Sequence, residues 1–161
     1  MTVHGSDERR KDIITDTTLR RVDDRPVRPT VATVLASGLL IVVTFQVALT
    51  LGAPFGAAAM GGTNPGKLPD ADRIVTGFLS VLWFLAALIV LARGGRAPVP
   101  LPAAVARVGT RVLVGLLGLG AIMNFASASP WERFGWGPFT VIMFGLCLTL
   151  ARSGHPRRPG N

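Results

Sequence analysis

Residues 74 to 92 read I-V-T-G-F-L-S-V-L-W-F-L-A-A-L-I-V-L-A, a run of nineteen without one ionisable side chain, bounded by Arg73 and Arg93. A helix crossing the hydrocarbon core of a bilayer needs roughly 17 to 25 residues, so this run is long enough to span it. Three more stretches share its character: 30 to 51, 112 to about 128, and about 134 to 151. In lipid every peptide group has to be hydrogen-bonded within the protein, which leaves helices or a closed barrel. Alternation of apolar and polar residues is absent, which excludes a barrel. The expected fold is all-α: a polytopic membrane protein whose residues 30 to 151 form an antiparallel four-transmembrane-helix bundle.

The composition agrees. Of 161 residues, 49% are hydrophobic and 16% charged, with a mean hydropathy of +0.47; an ordinary soluble domain is about 25% charged. Taken alone, the net charge of +8 would point to nucleic acid, but its placement points elsewhere. Seven bases from Arg9 to Arg28 precede the first span. Arg93, Arg96, Arg107 and Arg111 separate the second from the third, and Arg152, Arg157 and Arg158 follow the fourth. The other two connections hold Lys67, Arg73 and Arg133, balanced by Asp70, Asp72 and Glu132. Fourteen bases against three place both termini in the cytoplasm by the positive-inside rule. The expected location is therefore the cell membrane, multi-pass. Anionic lipid headgroups at the cytoplasmic face are the partner of the excess charge, and nucleic acid is not expected.

Residues 1 to 29 mix bases with six acids and few large apolar residues, reading as a disordered cytoplasmic tail; residues 152 to 161 form a second, basic one. Ile13, Ile14, Thr17, Leu19 and Val22 outline a weak amphipathic helix, opposed by Asp16, Asp23 and Asp24. The first apolar run and the tail before it are too long for a cleaved signal, so an uncleaved anchor is expected. Between the first two spans, Asn64-Pro65-Gly66 predicts a type II turn with Gly66 at positive φ. Pro98, Pro100 and Pro102 predict an extended connection, with helix resuming from Ala103 and Arg107 and Arg111 snorkelling to headgroups. Trp131, Phe134 and Trp136 read as an interfacial belt.

What the spans lack limits the chemistry. His4 and His155 lie in the tails, excluding bis-histidine haem ligation in the bundle, and no cofactor or metal is expected. No Asp or Glu falls within a span, which argues against proton-coupled drug exchange and intramembrane aspartyl proteolysis. Cys147 is alone, so disulfide chemistry within the chain is excluded. Gly61 to Lys67 has the glycine and lysine spacing of a nucleotide-binding loop, but Leu68 stands where Ser or Thr must hold magnesium, and Pro69 follows.

The polar residues that remain are Gln46 in the first span and Asn124 in the third, at similar depth, where an interhelical amide contact is the simplest reading. Ser37, Gly38, Gly115, Gly118 and Gly120 offer surfaces for close helix approach. Glu132 and Arg133 open the fourth helix: the macrodipole favours the carboxylate there as a cap, and Arg133 can reach phosphate headgroups. Alternatively Glu132 turns inward toward Asn124 and Gln46, forming an outward-facing polar pocket for a lipid headgroup or small solute. The candidate ligand-binding residues are thus Gln46, Asn124, Glu132 and Arg133, and no residue is nominated as catalytic.

Gly52-Ala53-Pro54-Phe55-Gly56, Gly61-Gly62-Thr63-Asn64-Pro65-Gly66-Lys67-Leu68-Pro69 and Glu132-Arg133-Phe134-Gly135-Trp136-Gly137-Pro138 together resemble the pattern of a group of small bacterial four-helix membrane proteins, actinobacterial in type. The pattern is G-A-P-x-G, G-G-x-x-P-G-x-L-P and E-R-x-x-W-x-P. The resemblance covers about residues 30 to 151; it implies the architecture and carries no activity with it. The leading expectation is a non-catalytic bundle that packs against lipids, a partner protein or a second copy. The alternatives are a small oligomeric transporter or channel subunit, and a lipid-modifying enzyme using Glu132.

Overall fold

The structure, a computed structural model, describes residues 28–96 and 101–154. The tail up to residue 27 with its weak amphipathic helix, the extended stretch at Pro98 and Pro100, and the tail beyond residue 154 lie outside the described residues. Among the described residues there are four long helices and no strand. They are α1 (Pro29–Thr50), α2 (Asp70–Arg93), α3 (Ala103–Ala126) and α4 (Gly137–Ala151), the last continuous with a wide turn over Glu132–Trp136. All four spans, counting that turn with α4, are long and apolar enough to cross a membrane.

Local chemistry sets the ends. Pro29 occupies the first turn of α1, where its missing N–H costs no hydrogen bond. Asp70 and Asp72 open α2 and Arg93 closes it, each charge complementing the dipole at its end. Pro138 explains the wide turn before α4. A proline inside a helix removes one N–H and crowds the carbonyl four residues back, so the backbone widens, and Gly137 N–H reaches the Glu132 carbonyl five residues earlier.

Several boundaries differ from the charge-free windows. α2 covers 70 to 93 rather than 74 to 92, and α3 ends at Ala126; it begins at Ala103, ahead of the window from 112 and where the proline run predicts helix to resume. The reason is that charged residues at a helix end stay helical while their heads reach water. Arg107 and Arg111 accordingly sit exposed on the first turns of α3.

α1 packs most extensively on α2 and α3 on α4, while α2 with α3 and α1 with α4 close the ring. Ala32, Leu35, Ala36 and Leu39 recur at helical spacing on α1. They meet Ala87 and Val90 of α2, Leu113 and Leu117 of α3, and Met143, Cys147 and Leu150 of α4. This core fills the half of the bundle that holds the start of α1 and the end of α4, here called the terminal half. A Cβ at Gly38 would lie 2.3 Å from Met143 Sδ, so the glycine lets α1 and α4 approach. Gly118 and Gly120 face Phe144 and Thr140 of α4, whereas Gly115 has nothing within 4 Å and Ser37 is exposed, so those two do not pack as expected. At the same end Arg93, 5% exposed, donates to the carbonyls of Ala151 and Ser153 and so satisfies the terminus of α4.

Between 22% and 28% of each span is buried, and the outward faces carry large apolar side chains such as Ile41, Phe78, Leu119 and Ile142, all more than half exposed. A continuous apolar exterior of this extent is stable only against other apolar matter. With the length and hydropathy of the helices, it makes the chain a multi-pass membrane protein.

Candidate functional site

At the opposite end, residues 51–69 fold back over the bundle. Leu49, Ala59 and Leu68 form a small buried core with Phe45. Gly56 N–H donates to the Gly66 carbonyl at 2.8 Å, and a Cβ on Gly56 would fall 2.1 Å from the Asn64 carbonyl oxygen, so only glycine fits. Gly66 has φ +99°, the left-handed value that the Asn-Pro-Gly sequence predicts.

The segment between α3 and α4 fastens this loop with three side chains. Ser129 Oγ donates to the Ala57 carbonyl at 2.6 Å, Trp136 Nε1 donates to the Ala58 carbonyl at 3.1 Å, and Glu132 Oε1 accepts from Gly61 N–H at 3.0 Å. Glu132 and Trp136 stand at the two ends of the wide turn. The carboxylate expected to cap its own helix makes no cap hydrogen bond and instead holds a loop seventy-one residues away in sequence. This arrangement also disposes of the nucleotide-loop spacing: Gly61 N–H is taken by a carboxylate, and the next helix opens with Asp70 and Asp72, which repel phosphate.

Beneath the loop lies a cavity of about 280 Å³ bordered by all four helices. Its walls are largely apolar: Leu39, Val42 and Phe45 of α1, Leu79 and Trp83 of α2, Leu116, Leu117 and Met123 of α3, Phe139 and Met143 of α4. Ala58, Ala59 and Met60 form its roof. Trp136 packs between Phe45 and Phe139, with ring centroids 4.8 and 5.6 Å away. An apolar cavity of roughly 150 Å³ already holds a benzene molecule, and ligand pockets begin at about 300 Å³, so this space suits one small or slender molecule.

Gln46, Asn124 and Glu132 all line the cavity. Arg133 does not: it is exposed and donates from Nη2 to the Ser127 carbonyl at 2.7 Å, bracing the connection from α3 to α4. The interhelical amide contact between Gln46 and Asn124 is not formed. Asn124 Nδ2 donates to Thr140 Oγ1 at 3.0 Å, whose own proton goes to the Trp136 carbonyl at 2.7 Å. Gln46 Oε1 is buried without a hydrogen-bond partner. Thr76, fully buried at the cavity edge, pairs with Thr50 at 2.9 Å and donates to the Arg73 carbonyl.

Sequence reasoning missed Trp83, Thr76, Thr140 and the loop roof. Trp83 alone carried a signal, being a tryptophan in mid-span, away from the interfacial depth such rings usually occupy. Among the described residues no group of three or more His, Cys, Asp or Glu is placed to hold a metal ion. No family model, curated protein or solved structure matches the chain.

Proposed function

We propose that this protein is a non-catalytic membrane bundle that holds one amphiphile beneath its loop, the apolar part among Leu79, Leu117 and Met143 and the polar end toward Gln46, Asn124 and Glu132. The observation that carries this reading is a largely apolar cavity beneath the loop, bordered by all four helices, with Gln46, Asn124 and Glu132 as polar groups in its lining. A space of this size among apolar side chains suits the chain of an amphiphile, and the polar residues suit its head. The Glu132 carboxylate engaged by Gly61 N–H supports a binding role over catalysis. The packed terminal half, around Leu35, Val90, Leu113 and Leu150, supports a pocket that ends blind there over a path through a single bundle.

In this reading the loop end faces outward and the termini face the cytoplasm of a cell membrane. There the exposed Arg96, Arg107, Arg111 and Arg152 meet anionic headgroups, and the apolar exterior is available to a partner membrane protein or a second copy.

Gly120→Leu tests the proposal. Gly120 borders the cavity, and a Cβ there meets nothing closer than Thr140 Cγ2 at 3.7 Å, so a larger side chain grows into the space. Removing a helical glycine also stabilises by about 0.5 to 1 kcal/mol. The variant is expected to melt at a higher temperature, and native mass spectrometry is expected to find the amphiphile on the unmodified protein only. Retention of the same bound molecule by the variant overturns the reading.

A further inference from the structure

One charged group borders the cavity. Of the residues lining it, Glu132 alone ionises, and it is an acid. Asn124, which borders the cavity, gives one of its two amide protons to Thr140 Oγ1 at 3.0 Å. The hydroxyl protons of Thr140 and Thr76 are engaged by the carbonyls of Trp136 and Arg73. Gln46 adds an acceptor without a partner and an amide nitrogen with two protons to donate. The two amides can therefore accept or donate, and it is the Glu132 carboxylate that sets a preference for a head bringing donors.

Charge points the same way. None of the three bases at the loop end lines the cavity: Arg73 is paired with Asp70 at 2.9 Å and donates to the Thr50 carbonyl at 3.0 Å, Arg133 donates to the Ser127 carbonyl, and the Lys67 side chain lies over Gly52. A phosphate or carboxylate head in the cavity would stand beside Glu132 in surroundings of low dielectric with no cation from the lining to neutralise it. A cation is attracted by the same carboxylate, and Trp136 and Trp83 contribute aromatic rings to the same cavity wall.

We therefore propose, building on the amphiphile reading above, that the cavity selects a cationic amphiphile of the alkylammonium class. Its charged head lies between Glu132, Asn124 and the Trp136 ring, and its chain runs toward Leu117 and Met143.

The test uses the full chain in a neutral maltoside detergent at neutral pH, with Trp131→Phe. Trp131 is 67% exposed and outside the cavity, so this change leaves Trp83 and Trp136, both at the cavity wall, as the fluorescent reporters. Octylammonium, octanol and octanoate share one chain and differ only in the head. Octylammonium is expected to give a saturable fluorescence change at a concentration about tenfold below that of octanol, with octanoate weakest. Glu132→Gln keeps an oxygen for Gly61 N–H and removes the charge; it is expected to abolish the preference for octylammonium over octanol.

Octanol or octanoate binding as tightly as octylammonium overturns the cationic assignment and leaves the amphiphile reading standing. A preference that survives Glu132→Gln also overturns the assignment of the head to Glu132. Absence of saturable binding by all three overturns both. The ranking on the chain with native Glu132 decides the question even if the Gln variant fails to fold.

Discussion

Glu132 is a charged residue whose most specific contact is with a backbone group of no sequence character, the Gly61 N–H. Hydrogen bonds to charged acceptors contribute about 1.5 to 3 kcal/mol when well buried, and Glu132 is only partly so, which brings the expected contribution to about 1 kcal/mol. Glu132→Ala is therefore expected to lower the melting temperature modestly and to accelerate amide exchange at Gly61. Glu132→Gln, which keeps an acceptor, should leave Gly61 exchange near its original rate. Unchanged Gly61 exchange in Glu132→Ala would mean that the carboxylate does not hold the loop. Gln46 poses the opposite case: its buried acceptor has no hydrogen-bond partner within the protein.

The loop over 51–69 behaves as an element in its own right, built from close backbone contacts more than from side chains. Two of its glycines separate steric from conformational demand. At Gly56 an added methyl meets the carbonyl oxygens of Asn64 at 2.1 Å and Gly66 at 2.8 Å, backbone atoms that cannot rotate away. At Gly66 there is nothing within 4 Å, and the demand is only its φ of +99°. Gly56→Ala is expected to cost about 3 kcal/mol, at the upper end for overpacking, against about 1 to 2 kcal/mol for a left-handed alanine at Gly66. Thermal melts rank the two, and hydrogen exchange over residues 57 to 62 shows whether Gly56→Ala alone lifts the roof. The same contrast explains the wide turn before α4. The identity of Pro138 sets it locally, and its consequence is to present Glu132 and Trp136 toward one loop.

For the molecule as a whole, the proposed orientation follows from arginines gathered at the terminal end and from an apolar exterior that binds the bundle to its membrane. Single cysteines at Thr63 and Ala103, both exposed and at opposite ends, in a Cys147→Ala background, report the two sides. An impermeant maleimide added to intact cells is expected to label Thr63→Cys at once and Ala103→Cys only after permeabilisation. The reverse pattern would invert the molecule and place the roofed cavity on the cytoplasmic side.

Length and hydropathy alone were enough for the four spans, because the bilayer imposes one requirement on any stretch that crosses it, and runs such as 74 to 92 meet that requirement whatever their neighbours do. Gln46 and Asn124 stood out for the same reason, as polar side chains in apolar runs, and Glu132 as an acid at a helix start. The ends of α2 were less legible, since a flanking charge stops an apolar window without stopping a helix, whereas the proline run up to Pro102 marked the start of α3. Beyond that the sequence is silent: helices that are apolar on every side do not say which face turns inward, and α1 could present Ile41 as readily as Leu39. That choice is made by packing, where Gly38 admits Met143 and Ala32, Leu35 and Leu39 interlock with three other helices. Only after the helices have taken those rotations do Gln46, Asn124 and Glu132 border one space while Arg133, next in the chain, is left outside it.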